Sequence, residues 1–318
     1  MKPVEQIPLE QIRQARANLT GVIYRTPLIP LRDEGLDRQI YLKLEVLQPI
    51  GSFKLRGAGN RLASVRQVDH VITASAGNMA QGVAWVARQR GIPCTVVMPD
   101  HAPQTKLDAV RRLGGRPIQV PFTEWWDTLV NRRFPGLEGL FVHPVSDPEV
   151  IAGNATIGLE ILEDLPDVDT VIVPFGGGGL SCGIASAMQA LKPSVKVYAC
   201  EVNTACPFSA SLVAGKATKI EYRASFVDGI GAGGMLEEMW PLASRILAGS
   251  RVVSIEETAT ALRLLLERNR ILAEGAGATA LAAALKGGSD DGKTVCVISG
   301  GNIDSAKVIQ ILQGKVPA

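Results

Sequence analysis

The chain has 318 residues, of which 46% are hydrophobic and 20% are charged, so it carries enough apolar material for a large compact core. Its 33 Lys and Arg residues against 31 Asp and Glu leave a net charge of +2, which argues against nucleic-acid binding and extended disorder. No stretch reaches the roughly 18 apolar residues that a membrane span needs. No signal peptide opens the chain, and we therefore expect a cytoplasmic protein.

Short runs rich in Val and Ile alternate with longer segments of helical periodicity. The predicted strands span residues 40–45, 70–75, 94–99, 117–120, 140–143, 170–174, 195–200 and 294–298. The predicted helices include residues 80–90, 103–113, 180–191 and 256–272. This alternation predicts an α/β fold with parallel sheets covered on both faces. Ligands in such sheets bind at the carboxyl ends of the strands, where the strand-to-helix loops meet.

The first loop of interest, Gly51 to Gly57, follows an apolar segment and contains Lys54 beside Phe53. Desolvation lowers the pKa of an ammonium group enough to give a nucleophilic amine or a Schiff base. A solvated surface charge is the alternative for a lysine considered alone.

The second loop ends a predicted strand, opens a helix and consists of Ser75, Ala76, Gly77 and Asn78. Small residues at a helix N-terminus leave backbone N–H groups free for a carboxylate or another anion, and Asn78 adds an amide. An ordinary helix cap by Ser75 or Asn78 is the alternative.

The third loop precedes Leu180 and holds four consecutive glycines, Gly176, Gly177, Gly178 and Gly179. Successive N–H groups at a helix N-terminus form a phosphate site, although neither common nucleotide motif is matched. Glu201, about 20 residues farther on, stands where a dinucleotide fold has its ribose-binding acid, so a nicotinamide cofactor stays open as an alternative.

The fourth loop follows the last predicted strand and begins with Ser299, Gly300 and Gly301. Its hydroxyl can form a hydrogen bond with a flat heterocycle, whereas an ordinary turn is the alternative. Together the four loops supply a lysine for a Schiff base, an anion-binding loop with an amide, a phosphate loop and a hydroxyl for a ring atom. Pyridoxal 5'-phosphate requires this set of contacts.

These motifs, in this order and over nearly the whole chain, resemble the fold-type II pyridoxal-phosphate enzymes of the serine/threonine dehydratase (threonine ammonia-lyase) and serine racemase group. The resemblance implies a two-lobed α/β architecture similar to tryptophan synthase β, with parallel-rich sheets flanked by helices. It implies a large cofactor-binding domain, residues 1–67 and 147–318, and a small mobile domain, residues 68–146. It also implies a homodimer or a higher homo-oligomer.

The resemblance gives Lys54 two roles, as the Schiff-base lysine and as the general base that removes the Cα proton. The other implied cofactor contacts are Phe53 at the ring, Asn78 at the phenolic oxygen, Gly176 to Gly179 and Leu180 at the phosphate, and Ser299 at the pyridine nitrogen. The loop from Ser75 to Asn78 would hold the substrate carboxylate.

The implied reaction is β-elimination from a small β-hydroxy amino acid, converting L-threonine to 2-oxobutanoate and ammonia or L-serine to pyruvate and ammonia. A lyase for another β-hydroxy amino acid, such as 3-hydroxyaspartate, and a serine racemase are alternatives. Ala76 occupies the position of a second serine in serine racemases, which favours dehydration over racemisation. Glu201 and Ala205 match two positions of the cation site of some relatives, but Pro207 at the third cannot ligate, so we expect no metal.

Overall fold

The computed structural model of the protein describes residues 2–33, 35, 38–287 and 291–317. Its strands are β1 Leu28–Pro30, β2 Ile40–Lys43, β3 Val71–Ala74, β4 Cys94–Pro99, β5 Arg116–Val120, β6 Leu140–Phe141, β7 Thr170–Pro174, β8 Lys196–Val202, β9 Gly249–Val253 and β10 Thr294–Val297. They form a six-stranded sheet in the order β1-β2-β10-β7-β8-β9 and a four-stranded sheet in the order β5-β4-β3-β6. Strands β1 and β2 are antiparallel, and the other strand pairs of these two sheets are parallel.

Helices connect the parallel strands and cover the sheets. They are α1 Leu9–Asn18, α2 Lys54–Ala63, α3 Asn78–Gln89, α4 Gln104–Arg112, α5 Phe122–Asn131, α6 Pro148–Asp164, α7 Gly179–Leu191, α8 Pro207–Ala214, α9 Trp240–Ile246, α10 Ile255–Asn269, α11 Gly275–Lys286 and α12 Ser305–Leu312. Short 3-10 turns span Glu45–Leu47 and Asp228–Ile230. Within the described residues, no helix combines the length and the apolar character needed to cross a bilayer.

Strands β3, β4, β7 and β10 are buried along their whole length because helices cover both faces of the sheets. Local signals set the helix boundaries. The side chain of Ser254 accepts the N–H of Glu257 and the side chain of Glu257 accepts the N–H of Ser254, a capping box that begins α10. Similarly, Asp147 accepts the N–H of Glu149 and caps α6, whose first residue is Pro148.

The predicted α/β class with parallel-rich sheets flanked by helices is confirmed. Each of the eight predicted strands is present, and β4 and β7 have the predicted ends. The prediction missed β1 and β9, the two edge strands of the six-stranded sheet, because they lack a buried apolar run. Strands β3 to β6 form the smaller sheet, and the predicted boundaries and mobility of residues 68–146 stay predictions.

Candidate active site

Lys54 is the first residue of α2, and its amine takes no part in the ion pairs that Arg56 and Arg61 of that helix form. Its Nζ donates a hydrogen bond to the carbonyl oxygen of Pro144 at 2.8 Å and lies 5.2 Å from the centre of the Phe53 ring. No carboxylate among the described residues forms an ion pair with this amine. Burial lowers the pKa of Lys54 to about 8, although the carboxylate of Glu274 acts in the opposite direction. The uncharged, nucleophilic amine is therefore accessible close to neutral pH.

The loop of Ser75, Ala76 and Gly77 joins β3 to α3, which begins at Asn78. The Ser75 hydroxyl accepts a hydrogen bond from the N–H of Gly77 at 3.2 Å and does not cap the helix. The N–H groups of the first turn of a helix have no partner within the helix. The alternative of a simple side-chain cap is therefore wrong here, and the loop retains the donors that an anion needs.

The glycine loop lies between β7 and α7, at the N-terminus of that helix. A Cβ atom on Gly177 would lie 2.6 Å from Cγ1 of Val145, and one on Gly179 would lie 2.6 Å from the carbonyl oxygen of Val145. Gly178 has a φ angle of +94°, which favours glycine. Only glycines allow this close approach, and the loop lies at the N-terminus of α7, a position that suits an anion.

Ser299 follows β10 and is buried, with 3% of its surface exposed. Its carbonyl oxygen accepts the N–H of Phe53 at 3.0 Å, and the next residue, Gly300, pairs with Ser52 in a β-bridge. These contacts bring the fourth predicted loop against the residue that precedes Lys54. Two of the predicted loops are thus directly joined.

Glu274 and Asn302 complete this side of the site, and neither is predicted as a site residue from the sequence. Asn78 donates a hydrogen bond from Nδ2 to Oε1 of Glu274 at 2.7 Å, and Asn302 donates from Nδ2 to Oδ1 of Asn78 at 2.8 Å. Burial and the nearby carboxylate of Asp228 raise the pKa of Glu274 to about 8. The available signal was a single acid in a run of small residues.

A loop after β6, residues 143–146, joins Lys54 to the glycine loop, and it was also missed. Pro144 accepts the Lys54 hydrogen bond, while the neighbouring Val145 packs against Gly177 and Gly179. His143 Nδ1 accepts the N–H groups of Val145 and Ser146 at 3.2 and 2.9 Å. Burial, with Arg132 and Lys54 nearby, lowers the pKa of His143 to about 3, so this histidine is neutral and shapes the loop.

Glu201 is occupied by protein donors away from these loops. Its carboxylate accepts hydrogen bonds from the N–H groups of Phe208 and Ser209 at 2.7 and 2.8 Å and from the hydroxyl of Ser250 at 2.6 Å. It therefore anchors the start of α8. The Ala205 N–H closes a turn with the carbonyl of Val202. The described residues contain no group of three or more His, Cys, Asp or Glu side chains arranged for a metal ion.

The four predicted loops thus converge on one site at the carboxyl ends of the strands. The Lys54 amine, which has no ion-pair partner, suits the aldehyde of pyridoxal phosphate. The glycine loop, whose space a Cβ atom would fill, suits the phosphate. The residues present fit this cofactor. The Glu201 carboxylate is already hydrogen-bonded to the N–H groups that begin α8. It therefore no longer supports a role in binding the ribose of a nicotinamide cofactor.

Comparisons with known proteins agree with this geometry. Residues 19–301 match the family described as pyridoxal-phosphate dependent enzyme. The chain is 42% identical over 314 residues to the L-threonine ammonia-lyase of Thermotoga maritima, covering 96% of this chain and 78% of that protein. It is 37% identical over 316 residues to the L-threonine dehydratase catabolic TdcB of Escherichia coli strain K12, covering 96% of each.

Two solved structures extend the likeness to three dimensions. The T.th. threonine deaminase has a TM-score of 0.83 at 32% identity and covers 93% of this chain and 98% of its own. Maize serine racemase has a TM-score of 0.87 at 29% identity and covers 98% of each chain. The resemblance and the pyridoxal phosphate cofactor expected from the sequence are confirmed. The chain belongs to the fold-type II pyridoxal-phosphate dependent enzymes, in the family of the threonine dehydratases.

Proposed function

We propose that the protein is an ammonia-lyase that acts on L-threonine, L-serine or both. The observation that carries this proposal is the Lys54 amine, which has a carbonyl but no carboxylate as its partner and a pKa of about 8. Such an amine can bind an aldehyde and can afterwards accept a proton. The names of the relatives, L-threonine ammonia-lyase and L-threonine dehydratase, support threonine as a substrate.

In this proposal the chain supplies the binding groups and the base. Lys54 would hold the cofactor through its aldehyde and, as a free amine, would take the proton from Cα. When bound, pyridoxal phosphate supplies an electron sink for the charge at Cα. The electrons of the Cα–H bond form the Cα–Cβ double bond as the Cβ–O bond breaks, and the hydroxyl leaves with a proton as water. Hydrolysis of the resulting enamine gives the 2-oxo acid and ammonia.

The remaining predicted residues position the two ligands. Gly176 to Gly179 and the Leu180 N–H would hold the phosphate, because this loop presents its donors at the start of α7. The loop from Ser75 to Asn78 would hold the substrate carboxylate through the free N–H groups of α3. Phe53 would lie against the ring and Ser299 would bind the pyridine nitrogen. A hydroxyl group beside this nitrogen stabilises the protonated pyridine ring less than a carboxylate would.

Ala76 supports a lyase over a racemase. Racemisation needs a proton-carrying group on each face of Cα, and Lys54 provides one. Ala76 offers only a methyl group, which packs against the core of the smaller sheet. An Ala76→Ser variant would supply the hydroxyl that serine racemases carry, and we expect it to raise D-serine formation relative to 2-oxo acid release.

The proposal includes three properties of the molecule as a whole. We infer a homodimer or higher homo-oligomer, a location in the cytoplasm, and movement of residues 68–146 against the rest of the chain. Light scattering during gel filtration tests the first property. Small-angle scattering with and without substrate tests the movement, because closure of the smaller sheet over the site would reduce the radius of gyration.

The direct test is the incubation of the purified, cofactor-loaded protein with L-threonine, L-serine and threo-3-hydroxyaspartate in separate reactions. Release of 2-oxobutanoate with equal ammonia from L-threonine, or of pyruvate from L-serine, would support the proposal. Formation of oxo acid from 3-hydroxyaspartate alone would assign the alternative substrate. D-serine without oxo acid would indicate a racemase and would contradict the proposal.

A further inference from the structure

A continuous chain of hydrogen bonds runs along one side of the site, from the backbone carbonyl of Ile50 to the carboxyl group of Glu274. Asn302 donates from Nδ2 to the Ile50 oxygen at 2.9 Å and to Oδ1 of Asn78 at 2.8 Å. Asn78 then donates from Nδ2 to Oε1 of Glu274 at 2.7 Å. These hydrogen bonds join the loop before Lys54, the start of α3, the start of α11 and the loop after β10.

The chain of donors and acceptors fixes which way the Asn78 amide points. A backbone carbonyl only accepts hydrogen bonds, so Asn302 must turn its NH₂ group toward Ile50. The same NH₂ group faces Asn78, which therefore presents its oxygen to Asn302 and its nitrogen to Glu274. One N–H of Asn78 is used by Glu274, and the other has no acceptor among the described residues.

We propose that Asn302 and Glu274 are positioning residues that hold the Asn78 amide with its second N–H directed at an acceptor oxygen of the bound cofactor. The inference rests on the proposed function, in which Asn78 contacts the phenolic oxygen of the cofactor. Asn302 acts as the donor that fixes one end of the amide. Glu274 acts as the acceptor that fixes the other end.

The space around these hydrogen-bonded side chains is also restricted. A Cβ atom on Gly300 would collide with Oε1 of Glu274 and would lie 3.1 Å from Nδ2 of Asn78. One on Gly51 would lie 3.0 Å from Oδ1 of Asn302. Gly51, which precedes Ser52, and Gly300, which follows Ser299, therefore allow the amide of Asn302 and the carboxyl group of Glu274 to approach the site.

The charge of Glu274 is consistent with this role. Burial and Asp228, in the turn Asp228–Ile230, raise its pKa to about 8, whereas Asn78, Lys106 of α4 and the Asn302 backbone act against the shift. The amine of Lys54 in α2 also interacts with the carboxyl group of Glu274. Oε1 of Glu274 can accept the Asn78 hydrogen bond whether or not the carboxyl group carries a proton. The raised pKa means that burial favours the uncharged form of this group.

The test measures cofactor affinity and the visible absorption band of the bound cofactor. Asn302→Asp removes both donors without a change of shape, and Glu274→Leu removes the acceptor. We expect each to weaken cofactor affinity about tenfold, as the loss of one hydrogen bond predicts, and to shift the band. Glu274→Gln keeps an acceptor oxygen, so its affinity should stay within about twofold of wild type. Asn203→Asp is the matched control at an exposed asparagine outside the site.

A structural effect is separated from positioning by the unfolding free energy of each cofactor-free variant. Asn302 is exposed in the cofactor-free chain, so Asn302→Asp should fold normally and carries the test even if Glu274→Leu does not fold. Wild-type affinity and an unshifted band in Asn302→Asp would overturn the inference. An equal loss in Glu274→Gln and Glu274→Leu would also overturn it. If wild type itself binds no cofactor and releases no oxo acid, the proposed function fails, and the inference falls with it.

Discussion

Helix α2 carries two cations, the half-buried Lys54 and the fully buried Arg56, in opposite electrostatic situations. Arg56 is fully buried and is held by both oxygens of Glu45, at 2.8 Å each, and both oxygens of Glu160, at 2.7 and 2.9 Å. Lys54 has only the carbonyl of Pro144. Ion pairing raises the pKa of Arg56, whereas burial without a carboxylate lowers that of Lys54 to about 8. A buried charge with partners is permanent and structural, and one without partners can take part in chemistry.

The paired cluster also determines where the unpaired lysine lies. Lys43 of β2 forms an ion pair with Glu160 of α6 at 2.6 Å, so the cluster joins the six-stranded sheet, α6 and α2. The Thr26 hydroxyl donates to Glu45 at 2.6 Å and completes the network. Because Arg56 is anchored, the start of α2 is held beside Ser299 and Pro144.

Replacement of the unpaired cation should have the largest effect on activity. Lys54→Ala removes the amine that binds the cofactor and accepts the proton, so 2-oxo acid release should fall by about 10³-fold or more. The unfolding free energy should not decrease, because no ion pair is lost. Lys192→Ala is the control, since Lys192 also donates only to backbone carbonyls but lies far from the site. Turnover by Lys54→Ala at the wild-type rate would refute the assignment.

Replacement of the paired cation should affect stability instead. Arg56→Met leaves the buried Glu45 without an ion-pair partner and Glu160 with Lys43 alone, and such a change costs about 3–5 kcal/mol. Denaturant unfolding measures this loss. The control, Arg263→Met, breaks an exposed pair with Glu267 and should cost less than about 0.5 kcal/mol. Equal costs for the two variants would show that the buried network does not anchor α2.

The contrast between these two cations was not predictable from the sequence. Lys54 and Arg56 stand in the same glycine-flanked segment, and each has a partner that is remote in sequence, since Pro144 is 90 residues from Lys54 and Glu160 is 104 from Arg56. The glycine loop and the loop of Ser75 to Asn78 were predictable because their signal is local, a run of small residues between a strand and a helix. Glu274 has no such signal, as it meets Asn78 across 196 residues.

In the glycine loop, close packing rather than charge determines which residues can be accommodated. In Gly179→Ala the added Cβ meets the Val145 carbonyl oxygen, a backbone atom that cannot move aside easily. We expect a strain of about 1–3 kcal/mol and therefore a loss of cofactor affinity of about ten- to hundredfold. Gly233→Ala is the control, since its Cβ would have an ordinary contact at 3.6 Å. Unchanged affinity in Gly179→Ala would contradict the phosphate assignment.

The smallest effect is expected for an exposed ion pair between the parts of the chain that carry the two sheets. Lys106 of α4 contacts Asp228 at 2.8 Å, and both side chains are at least one-third exposed. Lys106→Met should lower the unfolding free energy by less than about 1 kcal/mol, because solvent screens this pair. A loss comparable to that of Arg56→Met would show that burial does not separate strong from weak pairs in this chain.

The most direct test of the account is the pH dependence of cofactor attachment to individual lysines. Cofactor-free protein is mixed with pyridoxal phosphate at different pH values, briefly reduced with borohydride, digested and analysed by mass spectrometry. Lys54 should be the principal modified lysine, with initial labelling half-maximal near pH 8, while the buried, ion-paired Lys43 stays unmodified. Principal attachment to another lysine, or labelling of Lys54 that begins only near the ordinary pKa of 10.5, would contradict the account.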